Sequence, residues 1–156
     1  MILGITGSSG AGKSTVCEIL ERKYSSQTIN ADKIAKQLSK QGTNYLQEII
    51  QNFGDDILLE DGELNRRKLA NIIYSNPEKR DELNNITFKY IKNEIKEQIA
   101  KSNNNIIAID APLLLEANLQ EICDKTIAVI SEDRNLQIKR IIKRDNIDKE
   151  LSLIHI

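Results

Sequence analysis

Short apolar runs alternate along the chain with longer stretches in which apolar residues recur every three or four positions. The runs predict four strands, at residues 2–6, 27–30, 106–109 and 126–130. The helical periodicity predicts a first helix at residues 13–24, with Val16, Ile19 and Leu20 on its apolar face, and a last helix near residues 134–145. Strands that alternate with helices indicate an α/β fold, with a parallel sheet and helices on both faces.

Residues 31–104 are helical in pattern throughout and are too many for a simple crossover between two strands. Gly54 and the Asp61-Gly62 pair predict turns within this stretch, and Asn76-Pro77 predicts the start of a long helix. We therefore expect an inserted helical subdomain. In this architecture such insertions lie above the strand ends, where substrates bind.

Composition narrows the function classes. The chain has 156 residues, 29% of them charged, and a net charge of -1, which favours a single domain and gives no argument for a nucleic-acid or membrane-surface partner. It has neither an apolar run of the roughly 20 residues that a membrane span needs nor a secretory signal at its start. Cys17 and Cys123 are far apart, which favours reduced thiols and a cytoplasmic protein.

A glycine-rich segment follows the first predicted strand. Residues 7–14, Gly-Ser-Ser-Gly-Ala-Gly-Lys-Ser, match the GxxxxGK[ST] pattern and are followed by Thr15. Such a loop points backbone N–H groups at phosphates, its lysine reaches the β- and γ-phosphates, and its serine hydroxyl ligates Mg²⁺. An accidental glycine-rich turn is disfavoured, because a strand precedes the motif and an amphipathic helix follows. The nucleotide-binding candidates are Gly7, Gly10, Ala11, Gly12, Lys13, Ser14 and Thr15.

Two aspartates lie at predicted strand ends, where phosphoryl-transfer enzymes place catalytic carboxylates. Asp32 follows the second strand and either orients or activates an acceptor hydroxyl, or caps the helix that follows. Asp110 ends the third strand and either holds Mg²⁺ or is a turn residue before Pro112. For Asp32 the catalytic role and the capping role both remain open, and for Asp110 the metal role is favoured.

The last predicted helix carries a basic face. Arg140 and Arg144 are one turn apart and lie beside Lys139 and Lys143. A charged helix face is usually only solvated. In a phosphoryl-transfer fold, however, a basic helix at this place can act as a lid that brings an arginine onto the transferring phosphate, a task that suits its planar head with many donors.

Several further segments resemble dephospho-CoA kinases, a family of P-loop kinases. They are residues 30–35 (Asn-Ala-Asp-Lys-Ile-Ala), 61–69 (Asp-Gly-Glu-Leu-Asn-Arg-Arg-Lys-Leu), 76–78 (Asn-Pro-Glu), 112–116 (Pro-Leu-Leu-Leu-Glu) and 138–145 (Ile-Lys-Arg-Ile-Ile-Lys-Arg-Asp). The resemblance is collinear over about residues 1–150. It implies a P-loop NTPase three-layer sandwich with a helical substrate-binding insertion and a lid helix. It also implies phosphorylation of the ribose 3′-hydroxyl of dephospho-CoA by ATP-Mg²⁺, the last step of coenzyme A biosynthesis.

The resemblance also suggests roles for individual residues. Asp32 lies on the family's proposed acceptor-activating aspartate, and Arg140 on its phosphate-contacting lid arginine. Arg66 lies in a basic stretch of the substrate-holding insertion, residues 31–104, that could meet the substrate's phosphates. One departure is local: where the family commonly has His-Pro, this chain has Phe88-Lys89.

The end of the chain departs from the family too, because members continue for a few tens of residues past Asp145. Residues 151–156, Leu-Ser-Leu-Ile-His-Ile, resemble the translation of a sequencing-library adapter, although a short amphipathic terminus is the alternative. We therefore expect one kinase domain at residues 1–150, with an incomplete lid region at about 133–150 and a non-native tail. The source gene would then continue and supply a further strand beside residues 126–130.

Two other functions are compatible with a phosphate-binding loop. One is a small P-loop kinase that acts on a nucleoside monophosphate or a metabolite alcohol. The other is a GTP-binding switch, a class that normally carries an Asn-Lys-x-Asp segment to read guanine, and this sequence has none. The sequence predicts no oligomeric state.

Overall fold

The computed structural model describes residues 1–145, and side chains through residue 143. The strands of this part are β1 (Ile2–Thr6), β2 (Gln27–Asn30), β3 (Ile107–Asp110) and β4 (Lys125–Ala128). Its α-helices are α1 (Lys13–Tyr24), α2 (Ala31–Leu38), α3 (Asn44–Phe53), α4 (Arg66–Ser75), α5 (Pro77–Lys101) and α6 (Arg134–Asp145). Short 3-10 turns span Asp55–Ile57 and Leu119–Ile122. The predicted tail at 151–156 and the lid residues 146–150 lie outside this description.

The four strands form one parallel sheet in the order β2-β3-β1-β4, which confirms the predicted α/β class. Asp110, the last residue of β3, is in register with Ile5 of β1 on one side and with Asn30 of β2 on the other. The carboxyl ends of these three strands therefore meet at one edge of the sheet, next to the loop that leaves β1.

The strand β4 differs from the expectation of an apolar strand like the others. All four of its residues are exposed, whereas all four residues of β3 are buried. In the part of the chain described here, β4 lies at the edge of the sheet and pairs on one side with β1. A run of apolar residues predicts a strand but does not tell an edge strand from a central one.

The chain forms two compact units. The first unit comprises Met1–Ala31 and the chain from Ile99 onward, and the second is Asp32–Gln98. In the first unit, α1 contacts β1, β2 and β3. Its core consists of Leu3, Ile5, Cys17 and Ala108, with Val16, Leu20, Ile106 and Val129 packed against them. The predicted apolar face of α1 was wrong in one position: Ile19 is 39% exposed, and Cys17 points inward instead.

The second unit has a core of its own, formed by Tyr45, Leu46, Ile49, Ile57, Leu64, Leu69 and Ile86. Side-chain caps define its helix starts: Thr43 accepts a hydrogen bond from the Leu46 N–H at α3, and Asn65 accepts one from the Lys68 N–H at α4. Within the described residues, no helix is long and apolar enough to cross a membrane.

Phe88 and Lys89, which stand where the family that the sequence resembles commonly has His-Pro, lie on α5 in the second unit. The Lys89 ammonium contacts both carboxylate oxygens of Glu48, at 2.6 and 2.7 Å, and the Tyr90 hydroxyl donates to the same carboxylate at 2.8 Å. The hydrogen bonds from Lys89 and Tyr90 lower the pKa of Glu48. Lys89 therefore ties α5 to α3 in this chain.

Candidate functional site

The loop between β1 and α1 takes a conformation that only glycine adopts easily. Gly7, Gly10 and Gly12 have φ angles of 139°, 73° and 111°. At Gly7 a Cβ atom would come within 2.1 Å of the Val129 carbonyl oxygen, so a side chain has no room there. The glycines of the motif thus allow the chain to turn sharply from the strand end into the helix.

Lys13 begins α1 and points back into this loop. Its ammonium donates to the carbonyl oxygens of Gly7 at 2.7 Å and of Ser8 at 3.1 Å, and the residue is only 9% exposed. The positive end of the α1 dipole lies at the same place, because the helix starts at this residue. A buried ammonium, the backbone N–H groups of a glycine-rich loop and a helix N-terminus together make a binding site for an anion such as a phosphate chain.

The other residues of the motif follow the same geometry. Ala11 is buried, and its N–H donates to the Ser8 carbonyl at 3.2 Å, which tightens the loop. Ser14 and Thr15 lie in the first turn of α1 and are exposed. Their hydroxyl groups are therefore accessible to a ligand bound at the loop.

Asp110 lies at the end of β3, at the sheet edge that carries the loop. It is 6% exposed, and its Oδ2 accepts a hydrogen bond of 2.8 Å from Asn30 Nδ2. Asn30 was not predicted as a site residue. The available signal was its place at the end of the second strand, which matches that of Asp110 on the third.

The donors at this edge suit a hard cation. A serine hydroxyl at residue 14 and the carboxylate of Asp110 are oxygen ligands of the kind that Mg²⁺ prefers. Among the described residues there is no group of three or more His, Cys, Asp and Glu side chains that could hold a metal ion. In kinases Mg²⁺ usually takes most of its ligands from phosphate oxygens and water, with one or two from the protein.

Cys17 lies on α1 within the first unit. Burial, followed by the negative charges of Asp110 and Glu21, raises the pKa of its thiol to about 11. The raised pKa favours the protonated thiol near neutral pH, in line with the place of Cys17 in the core of the first unit. Neither it nor Cys123 is in a disulfide.

The helix α6 packs directly on the phosphate loop. Ile138 and Ile141 of this helix are buried, and Arg140 Nη1 lies 3.3 Å from the Gly10 carbonyl oxygen to which it donates. The buried side chain of Gln137 donates from Nε2 to Ser8 Oγ at 2.7 Å and to the Ser9 carbonyl at 2.6 Å. Gln137 was not predicted as a site residue, although its position one turn before Ile141 places it on the buried face of α6.

The remaining candidates, Asp32 and Arg66, belong to the second unit. Asp32 is exposed and lies in the first turn of α2. Arg66 is the exposed first residue of α4. The positive charge of Arg66 also acts on Tyr45. Burial raises the pKa of the Tyr45 hydroxyl, whereas the hydrogen bond between Tyr45 and Thr87 and the charge of Arg66 lower it.

The structure thus brings one group of predicted residues together in the first unit: the loop residues, Asp110 and Arg140. The loop, the helix start and the strand-end carboxylate match the donor half of a kinase site. A family model for dephospho-CoA kinase matches residues 1–154 of the chain.

The chain belongs to the dephospho-CoA kinase family.

Individual relatives agree with this membership. A dephospho-CoA kinase of Fusobacterium nucleatum is 41% identical over 152 residues, which cover 97% of this chain and 77% of the relative. The crystal structure of TT1252 from Thermus thermophilus superposes with a TM-score of 0.83 at 25% identity, covering 99% of this chain and 78% of that one. The dephospho-CoA kinase from Campylobacter jejuni gives a TM-score of 0.61 at 28% identity, covering 98% and 77%.

Membership of the dephospho-CoA kinase family confirms the resemblance that the motifs indicated, and with it the P-loop kinase fold. It also favours the kinase interpretation over a GTP-binding switch.

Proposed function

We propose that the chain transfers the γ-phosphoryl group of ATP to the ribose 3′-hydroxyl of dephospho-CoA and so forms coenzyme A. The observation that carries this proposal is the family match over residues 1–154. The phosphate loop supports the donor half of the reaction but is shared by many kinases, so it does not by itself select the acceptor.

The phosphate loop binds the β- and γ-phosphates of ATP in this proposal. Lys13 already directs its ammonium at the carbonyls of Gly7 and Ser8, and phosphate oxygens replace those carbonyls as its partners when ATP binds. The N–H groups of the loop and of the first turn of α1 donate to the same phosphates. As negative charge shifts onto the bridging oxygen, Lys13 stabilises it.

Ser14 and Asp110 are the proposed Mg²⁺ partners. Bound Mg²⁺ neutralises part of the charge on the phosphate chain. The Asn30 amide holds Asp110 in one orientation by donating to Oδ2. We assign the Asp110 carboxylate to the ion or to a water of its shell.

Arg140 is the proposed lid arginine. Its guanidinium already lies over the loop, at 3.3 Å from the Gly10 carbonyl. From this position a planar head with several donors can contact the phosphoryl group in transit and stabilise its charge.

Asp32 and Arg66 act on the acceptor in this proposal. Asp32 is exposed. Its proposed role is to orient the 3′-hydroxyl with its carboxylate and to accept the proton. Because phosphoryl transfer passes through a loose transition state, orientation contributes more than early proton removal. Arg66 is exposed as well, and its guanidinium binds phosphate oxygens of the CoA-like substrate.

The test is phosphate transfer from ATP with a choice of acceptors. The chain is incubated with ATP and Mg²⁺ together with dephospho-CoA, adenosine monophosphate or no acceptor, and coenzyme A and ADP are quantified by mass spectrometry. We expect coenzyme A from dephospho-CoA and little ADP from the other mixtures. Preferential phosphorylation of adenosine monophosphate would assign the chain to the rival class of small kinases.

We propose the cytoplasm as the compartment. Both cysteines are free, in line with a reducing environment.

A further inference from the structure

Gln137 forms the most directional contact between α6 and the phosphate loop. It is only 5% exposed, and its Nε2 lies 2.7 Å from Ser8 Oγ and 2.6 Å from the Ser9 carbonyl oxygen. Both hydrogens of the amide are therefore used. The orientation of the amide is determined, because the flipped form would place its own oxygen 2.6 Å from the Ser9 carbonyl, and two acceptors repel each other.

Close packing keeps this contact in place. A Cβ atom on Gly10 would lie 2.8 Å from the Gln137 carbonyl oxygen and 2.9 Å from Ile141 Cγ1, so the loop backbone touches the helix. Ile141 itself is completely buried. The apolar contacts hold α6 against the loop, and the Gln137 amide adds hydrogen bonds of defined direction.

The bond to the Ser9 carbonyl has a consequence for the other side of the same peptide group. The Ser9 C=O and the Gly10 N–H belong to one planar peptide unit, and in a trans peptide they point in opposite directions. When Gln137 holds the carbonyl towards α6, the Gly10 N–H points away from α6. In a phosphate loop the N–H groups that point inward are those that bind the phosphates.

We propose that Gln137 is a positioning residue for nucleotide binding: it fixes the Ser9–Gly10 peptide so that the Gly10 N–H faces the bound phosphates. It acts through the loop and does not touch the nucleotide. The inference rests on the proposed function in so far as the ligand is an adenine nucleotide.

Three variants separate this role from simple packing. Gln137→Met keeps the volume and removes both donors, Gln137→Glu keeps the shape but puts an acceptor against the Ser9 carbonyl, and Ser8→Ala removes the hydroxyl partner alone. Gln51→Glu, on an exposed face of α3, is the control for the added charge. Calorimetry measures the affinity for ADP, steady-state kinetics gives KM for ATP and for dephospho-CoA, and thermal melting reports stability.

We expect Gln137→Met to weaken ADP binding and raise KM for ATP about tenfold, the loss typical of one to two hydrogen bonds. Gln137→Glu should weaken both further, whereas Ser8→Ala should cost about threefold or less because the Ser9 bond remains. The KM for dephospho-CoA should stay within about twofold, since the peptide faces the donor.

Wild-type ADP affinity in both Gln137 variants would overturn the inference. Equal losses for both substrates together with a lower melting temperature would also overturn it, because they would show a structural role. If Gln137→Met does not fold, Gln137→Asn, whose amide is too short to reach the loop, provides the same comparison. Failure of the proposed function looks different: the wild type would bind ADP but not phosphorylate dephospho-CoA.

Discussion

Replacing Gly10 with alanine tests whether the contact between α6 and the phosphate loop is as tight as the structure indicates. Gly10 has a φ angle of 73°, and an added Cβ would lie 2.8 Å from the Gln137 carbonyl oxygen, 2.9 Å from Ile141 Cγ1 and 3.1 Å from Gln137 Cγ. The substitution therefore has two costs: a left-handed backbone in a residue with a side chain, and a collision with the helix.

The two costs can be estimated separately. The left-handed conformation costs alanine about 1–2 kcal/mol. Forcing an extra methyl group into a filled space costs about 1–3 kcal/mol more. Gly42→Ala is the matched control, since Gly42 has a φ angle of 84° but no heavy atom within 4 Å of its added Cβ. We expect Gly10→Ala to lower the free energy of unfolding by about 2–5 kcal/mol and Gly42→Ala by about 1–2 kcal/mol.

Urea denaturation of both variants measures the difference, and calorimetry with ADP measures the effect on the site. If α6 shifts to relieve the collision, the loss of stability becomes smaller but ADP affinity falls, because the helix no longer supports the loop. This reasoning would be refuted if the Gly10→Ala protein were as stable as the Gly42→Ala protein and bound ADP as tightly as the wild type.

Four further outcomes are expected. Lys13→Ala should reduce coenzyme A formation at least about a hundredfold and leave the circular dichroism spectrum unchanged. The control Lys23→Ala, on the same helix, should have nearly normal activity. Near-normal turnover of Lys13→Ala would contradict the phosphate-loop assignment. Asp32→Asn should lower turnover about a hundredfold or more and leave ATP affinity unchanged, and a normal rate would remove Asp32 from the chemistry. Cys17 should resist iodoacetamide at pH 8 in the native chain but not in urea, as followed by mass spectrometry. Its folded pKa of about 11 exceeds the ordinary 9.0, so its contribution to stability is present below pH 9 and is lost as the pH rises towards 11; rapid native labelling would contradict this. Re-sequencing the source locus tests the adapter origin of residues 151–156. If the reading frame continues past residue 150, the protein expressed from the longer frame should be more soluble and should prefer adenine nucleotides more strongly. A natural stop codon after residue 156 would disprove the adapter origin.

Those parts of the site that are close together along the chain could be predicted from local sequence. The strand, the glycine-rich loop and the start of α1 are consecutive, and the glycines at 7, 10 and 12 allow the positive φ angles that the loop needs. Asp110 was also predictable, because an apolar run that ends in a carboxylate marks a strand end. The family motifs were readable for the same reason, as each is a short contiguous segment.

Contacts between residues that are distant in sequence could not be predicted in this way, because they depend on how the elements pack. Asn30 donates to Asp110 across 80 positions of sequence, because the order β2-β3-β1 makes their strands neighbours. Gln137 reaches Ser9 across 128 positions, because α6 packs on the loop. Periodicity states which face of a helix is apolar but not what covers it, so it can neither find such a partner nor show that β4 lies at an edge. Polar partners are chosen by the packing of whole elements, and this is a property of the folded chain and not of any local segment.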